Sequence, residues 1–307
     1  MNQGYFIQYG LELLDDSSNY TKEHFEKISD ILLSLYISRI DRKETNFKGE
    51  RSHYINLITQ KFLLHIHSIK TLIDGIDLNS NIKNFKTKVK DPFSINVLVR
   101  GSIENYLVLN YISNRFEDEN LLLCRFDIWM RHGIRKRGVE PESEEEKRVH
   151  EIDENSIEVL TNRIKEQPYY LNLSEQKREK FIKQINSDWK VKFKDDKFFP
   201  ATWKDLIYLS GFKKELGQNM YNYLSWHVHT SSISIIQLKN MWDDDFHEFS
   251  IKVALAKINI FTSFLISDIV HSDQEFKNAF NSLSEDSREL VSFYNYANRE
   301  EKYNVKE

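Results

Sequence analysis

Glycine and proline are scarce in this chain, with 9 and 4 residues among 307. Tight turns use both residues, and a β-rich fold needs many such turns. Long helices joined by short connections need few of them. The sequence therefore predicts an all-α fold, a multi-helix bundle with a charged helical insertion. Hydrophobic residues at 40% and charged residues at 29% form a globular balance, so the helices can bury a core.

Charge and cysteine content limit the partners and the compartment of the protein. A formal net charge of −4 supplies no global basic field for nucleic acid or a membrane, although a local basic patch stays open. Cys124 is the only cysteine, which excludes an internal disulfide, and its apolar surroundings predict a buried, inert thiol. We see neither a signal peptide nor a run of about 18 apolar residues. We therefore expect a cytoplasmic protein with no membrane partner.

Hydrophobic periodicity divides the chain into helical segments of different character. The predicted helices span about 21–43, 52–76, 92–115, 118–137, 213–239 and 249–271. Residues 77–91 read as a polar connection. We expect residues 1–137 and 200–283 to form the helical core domain and residues 138–199 to form a charged helical insertion, which could be a lid, a dimer arm or a partner surface. Residues 284–307 form a polar C-terminal tail whose apolar side chains could dock.

The helix predicted over 92–115 differs from the others because apolar residues cover nearly its whole circumference. A helix that is apolar all round is buried. Arg100 and Glu104 lie within it, four residues apart, so they share one face and can pair. Burying an unpaired charge costs several kcal/mol, so both side chains need partners. They form either a structural pair that fixes the helix or one half of a functional site.

A second polar stripe interrupts the helix predicted over 213–239. Ser225 and His229 are four residues apart, whereas His227 points about 200° away from His229. If this helix packs on the helix predicted over 92–115, the carboxylate of Glu104 can orient His229, and the guanidinium of Arg100 can bind an anion. The candidate catalytic residues are Arg100, Glu104, Ser225 and His229, and the candidate substrate-binding residues are Tyr221, Asn222 and His227.

Two short segments carry a family resemblance. Leu98-Val99-Arg100-x-x-x-Glu104 and the later Tyr221…Leu224-Ser225-x-x-x-His229-Thr230-Ser231 resemble two signatures of a family of uncharacterised all-helical bacterial proteins. The resemblance covers about residues 50–130 and 200–270, and it implies a shared site without naming a reaction. His227 is outside the pattern and ranks below His229.

The chain resembles helical prokaryotic ribonuclease toxins of the HEPN type more distantly. Such proteins use an arginine, four to six intervening residues and a histidine, and Arg125 and His132 match this spacing. Chance matches to so short a pattern are expected in a chain of this length. The basic segment 131–137 could contact RNA phosphates, or it could be a solvated helix end.

Other motifs do not predict a cofactor or a metal. The pairs His65/His67 and His227/His229 diverge in a helix, so neither pair chelates one ion. Phosphate-loop and dinucleotide fingerprints are missing from the sequence. We therefore expect no cofactor and no metal.

Two functional hypotheses follow from these residues. The first is a metal-independent, ribonuclease-like or nucleotide-directed effector of bacterial stress or antiphage defence, with RNA or a nucleotide as partner. In it, His229 is the acid/base and Arg100 binds phosphate. The alternative is a non-enzymatic interaction module whose Arg/Glu/Ser/His network is structural. Self-association into a homo-oligomer stays open under both.

Overall fold

The computed structural model describes residues 2–15, 19–40, 49–138, 141–217, 235–236, 239, 244–272 and 274–303. Helices dominate these residues, and the strands found there form two small antiparallel hairpins. The predicted all-α fold is therefore confirmed.

The element bounds are as follows. The helices are α1 Gln3–Leu14, α2 Asn19–Ile40, α3 Glu50–Ile73, α4 Pro92–Ser113, α5 Glu119–Lys136, α6 Glu144–Glu166, α7 Pro168–Leu171, α8 Glu175–Ser187, α9 Trp203–Leu209, α10 Lys214–Gly217, α11 Asp244–Ser272, α12 Gln274–Asn281 and α13 Glu285–Asn298, followed by a 3₁₀ turn at Glu301–Tyr303. The strands are β1 Ile76–Ser80, β2 Phe85–Val89, β3 Val191–Lys194 and β4 Lys197–Pro200.

The chain divides into two compact units. The first consists of residues 1–109 and 207–307, and the second of residues 110–206, so the division falls inside α4 and inside α9. The change in sequence composition falls later, at Gly138. The contacts assign α5 to the second unit because it lies antiparallel to α6, and Asp127 and Arg163 pair across the two helices.

The core of the first unit is built on α2, α11 and α13. Helix α11 contributes Ile258, Phe261, Phe264 and Leu265, which are fully enclosed. Its segment His247–Ser272 is long and apolar enough to cross a membrane, with a mean hydropathy of 1.7, and it is the one such helix among the described residues. Because 72% of that apolar window is buried inside the protein, its composition is that of a core helix.

The C-terminal segment docks on the first unit through α13. Ser284 caps this helix by accepting a hydrogen bond from the backbone N–H of Ser287 at 3.3 Å. The apolar side chains of α13 that face the core are Leu290, Val291, Phe293 and Tyr294. Most polar residues of this segment lie toward solvent, but Glu289, Asn295 and Arg299 are buried.

The short elements differ from the expectation drawn from the sequence. Residues 77–91, expected to be a polar connection, contain most of the β1–β2 hairpin, and α1 precedes the first expected helix. In the β3–β4 hairpin, Asp195 and Asp196 both have positive φ, 48° and 52°, as a two-residue type I′ turn requires. Asn-Gly or Asp-Gly is the usual sequence for that turn, so an Asp-Asp pair gives a weak signal.

Candidate functional site

The candidate site is built on α4, whose first turn is fixed by a side-chain cap. The carboxylate of Asp91 accepts hydrogen bonds from the backbone N–H groups of Phe93, at 3.1 Å, and Ser94, at 3.0 Å. Pro92 follows as the first helical residue, where its missing N–H costs nothing. This start sets the direction in which the later side chains of α4 point.

Arg100 and Glu104 pair one turn apart on α4, as their spacing predicts. Arg100 Nε donates to Glu104 Oε1 at 2.9 Å. The arginine side chain is 13% exposed and the glutamate side chain is 28% exposed. The guanidinium is therefore largely withdrawn from water, while the carboxylate lies at an edge that solvent reaches. In such a setting the pair holds the guanidinium in one orientation.

A histidine of α3 lies against the neighbouring face of α4. His65 Nδ1 and the side-chain nitrogen of Asn105 are 3.4 Å apart. A Cβ at Gly101 would stand 3.1 Å from His65 Cε1, so the missing side chain at Gly101 makes room for the ring. Burial lowers the pKa of His65, and the positive charge of Lys61 lowers it further. Both effects favour the neutral form of His65.

In the sequence, His65 stands out only as a partner of His67, and its contact with α4 was not predicted. The available signal was Gly101, because a glycine inside a helix costs about 1 kcal/mol relative to alanine and often marks a close approach. The other predicted site residues, Tyr221, Asn222, Ser225, His227 and His229, lie outside the described residues. Their roles stay predictions.

A second polar cluster, also missed from the sequence, anchors α4 in the first unit. Arg299 is fully buried, and its two terminal nitrogens bind both oxygens of Asp268, at 2.8 Å and 3.0 Å. Tyr106 of α4 donates to Asp268 at 2.9 Å and accepts from Arg299 at 3.0 Å. Arg299 also donates to the carbonyl of Ser210 at 2.8 Å and lies over the ring of Tyr303 at 4.0 Å. This cluster ties α4, α11 and the C-terminal segment together.

Arg125, which matches the ribonuclease-toxin spacing together with His132, makes structural contacts in the second unit. Arg125 is buried, lies over the ring of Tyr111 at 4.7 Å and pairs with Glu117 at 3.4 Å. These contacts hold the turn between α4 and α5. Burial lowers the pKa of His132, and a contact with the backbone of Ile185 opposes the shift. The arrangement of Arg125 is that of a structural cation.

No group of three or more histidine, cysteine or carboxylate side chains converges on a metal position among the described residues. Asp268 and His271, three residues apart on α11, have separate partners. Arg299 binds Asp268, and the carbonyl of Ser267 lies 2.6 Å from His271 Nδ1.

The fold and the site define a class of protein: a helical protein with an Arg–Glu pair on a largely buried helix and a charged helical second unit. A family model described as "Family of unknown function (DUF5677)" matches residues 87–248, more than half of the chain. The chain belongs to this family. The match contains both α4 and the segment with Ser225 and His229, and it confirms the expected resemblance to an uncharacterised family. Searches of curated proteins and of solved structures find no match.

Proposed function

We propose that this protein is a ribonuclease-like effector of bacterial stress or antiphage defence that cleaves RNA in the cytoplasm. Arg100 binds a phosphate, Glu104 orients the catalytic histidine, and His229 is the general acid/base. Ser225 hydrogen-bonds within the site. Tyr221, Asn222 and His227 contact the substrate, and neither a metal nor a cofactor takes part.

The geometry of the Arg100–Glu104 pair carries this proposal. A guanidinium held by a carboxylate keeps one direction, and its partial burial lowers the local dielectric, which strengthens its attraction for a phosphate. The 28% exposure of Glu104 leaves the pair within reach of a ligand from solvent. An arginine so oriented can stabilise the charge that develops on a phosphodiester during cleavage.

The β1–β2 hairpin supports an RNA partner, since it supplies the local basic patch that the net charge leaves open. Lys83, Lys86 and Lys88 are exposed, and none of the three forms an ion pair with a described residue. Phe85 is 54% exposed and Ile82 is 93% exposed at the turn. Exposed lysines of this kind provide the phosphate contacts that nucleic acids use.

One observation favours the alternative, a non-enzymatic interaction module. Arg100 already donates its Nε hydrogen to Glu104, and a buried pair of this kind also fixes helix packing without any chemistry. Under this alternative, loss of either side chain lowers stability and leaves partner binding unchanged.

RNA cleavage by Arg100→Ala and His229→Ala, measured with a dye-and-quencher-labelled single-stranded RNA, tests the proposal. Loss of a general acid/base or a phosphate clamp should lower the cleavage rate at least about 100-fold. Lys70→Ala is the matched control, because Lys70 is an exposed cation of the first unit that pairs with Asp30 at 3.0 Å. Thermal melts of all variants confirm that they fold. Undiminished cleavage by folded Arg100→Ala, or a wild type without cleavage, overturns the proposal.

A further inference from the structure

Helices α5 and α6 of the second unit lie antiparallel, and ion pairs line the seam between them. Toward one end, Asp127 of α5 binds Arg163 of α6 at 2.6 Å. Toward the other end, Arg137 binds Asp153. Each of these two arginines therefore has a carboxylate from the facing helix.

Arg131 lies between these two pairs and has no carboxylate partner among the residues that the structure describes. It is 4% exposed, and its Nε donates to Thr161 Oγ1 at 2.7 Å. The Thr161 hydroxyl donates a hydrogen bond to the carbonyl of Ile157 at 2.6 Å. Its oxygen is therefore a neutral acceptor for Arg131. Arg131 Nη1 is enclosed and meets no hydrogen-bond partner among the described residues.

The surroundings of Arg131 add positive charge. Burial lowers the pKa of Arg131, and the charge of Arg135, one turn later on α5, lowers it further. The negative end of the helix dipole accounts for Arg135 and Lys136 in the exposed last turn of α5. It does not account for Arg131, which lies before that turn and is buried.

A buried guanidinium without a counter-charge costs several kcal/mol, and arginine cannot shed its proton to escape that cost. A methionine or leucine would fill the same place in the seam without it. The arrangement is therefore explained if the counter-charge comes from outside the chain. Two arginines one helical turn apart, one of them held by Thr161, match the charge of a phosphate better than that of a single carboxylate.

We propose that Arg131 is the centre of a phosphate-binding site in the second unit, with Arg135 as its second cation. The phosphate belongs either to a free nucleotide or to the backbone of RNA. This site lies in the unit that does not contain Arg100. It stands whether or not the proposed ribonuclease activity is found, because its test reads stability and binding.

Thermal unfolding of the full-length protein in a titration of inorganic phosphate, at constant ionic strength in chloride, tests the site. The wild type should gain about 2–4 °C once phosphate exceeds its dissociation constant several-fold. Arg131→Met should melt above the wild type in phosphate-free buffer, because it removes the uncompensated cation, and it should not respond to phosphate. Arg137→Met, which removes an exposed arginine that has a carboxylate partner, should keep the wild-type response.

Adenosine monophosphate and a short single-stranded RNA serve as further arms of the titration and distinguish the two sources of the phosphate. If Arg131→Met does not fold, Arg131→Lys replaces it in the test, because lysine keeps the charge without the guanidinium fork. Arg131→Lys should lose most of the phosphate response. A wild type that responds to none of the three probes overturns the proposal. So does a phosphate response in Arg131→Met equal to that of the wild type, or a melting temperature of Arg131→Met below that of the wild type without phosphate.

Discussion

Replacing Asp268 by alanine removes the counter-charge of Arg299, the buried cation that ties the C-terminal segment to α4 and α11. Arg299 is fully buried, whereas the Asp268 side chain is 15% exposed. The carboxylate accepts a hydrogen bond from Arg299 Nη2 at 3.0 Å and one from Tyr106 at 2.9 Å, and it forms an ion pair with Arg299 Nη1 at 2.8 Å. After the substitution, the guanidinium keeps only neutral acceptors and the aromatic rings around it.

The expected loss of unfolding free energy follows from these contacts. Removing one partner of a buried ion pair costs about 3–5 kcal/mol, and the small solvent exposure of Asp268 places this case at about 3–4 kcal/mol. For a unit of this size, that loss lowers the melting temperature by about 10 °C. Asp268→Asn should fall between the wild type and alanine, because its amide oxygen can still accept from Tyr106 while the negative charge is gone.

Chemical denaturation followed by circular dichroism measures this difference. The matched control is Asp74→Ala, which removes a carboxylate that pairs with Lys22 at 2.9 Å but is 67% exposed. Exposed pairs of this kind contribute at most about 1 kcal/mol. If Asp268→Ala and Asp74→Ala destabilise the protein by the same amount, the Arg299 cluster does not anchor α4 in the first unit.

Further predictions concern four single residues. Gly211 has a φ of 85°, and a Cβ there would overlap the ring of Tyr303, so Gly211→Ala should destabilise the protein by about 2 kcal/mol or more. Gly133 lies in an open position of α5, so Gly133→Ala should instead stabilise the protein by about 0.5–1 kcal/mol. Denaturant titrations measure both changes. Burial lowers the pKa of His24, so the unfolded chain binds a proton at a higher pH than the folded one. The melting temperature of the wild type should therefore fall as the pH drops from about 7.5 to 5.5, and that of His24→Gln should fall less steeply. If the melting temperature of the variant depends on pH as steeply as that of the wild type, other groups cause the dependence. Burial raises the pKa of the Cys124 thiol to about 12, so a thiol reagent at about pH 8 should label the denatured protein and leave the native one unlabelled.

Local features of the site could be predicted from the sequence, and non-local features could not. The Arg100–Glu104 pair follows from helical spacing alone, because residues four apart share a helix face. The contact of His65 with α4 depends on how two helices pack, and Gly101 was its only local trace. Arg299 lies in a segment with a polar composition, and its partners are far away in sequence. Nothing in its neighbours indicates a buried cation.

The same distinction applies to the fold. Hydrophobic periodicity predicts the bounds of α5, expected over 118–137, to within one residue, and the Asp118 cap fixes its start. The β3–β4 hairpin depends on positive φ at two aspartates, a conformation that aspartate adopts only when the surrounding structure favours it. The boundary between the two units depends on the pairing of α5 with α6, which composition does not encode.

The most direct test of the proposed function is the single-turnover rate of RNA cleavage by Arg100→Lys. Lysine keeps the positive charge and can still pair with Glu104, so α4 should stay folded and the melting temperature should change little. Lysine lacks the guanidinium fork, and we expect a rate about 10–100-fold below that of the wild type. A rate equal to that of the wild type, or the absence of any cleavage by the wild type, would contradict it.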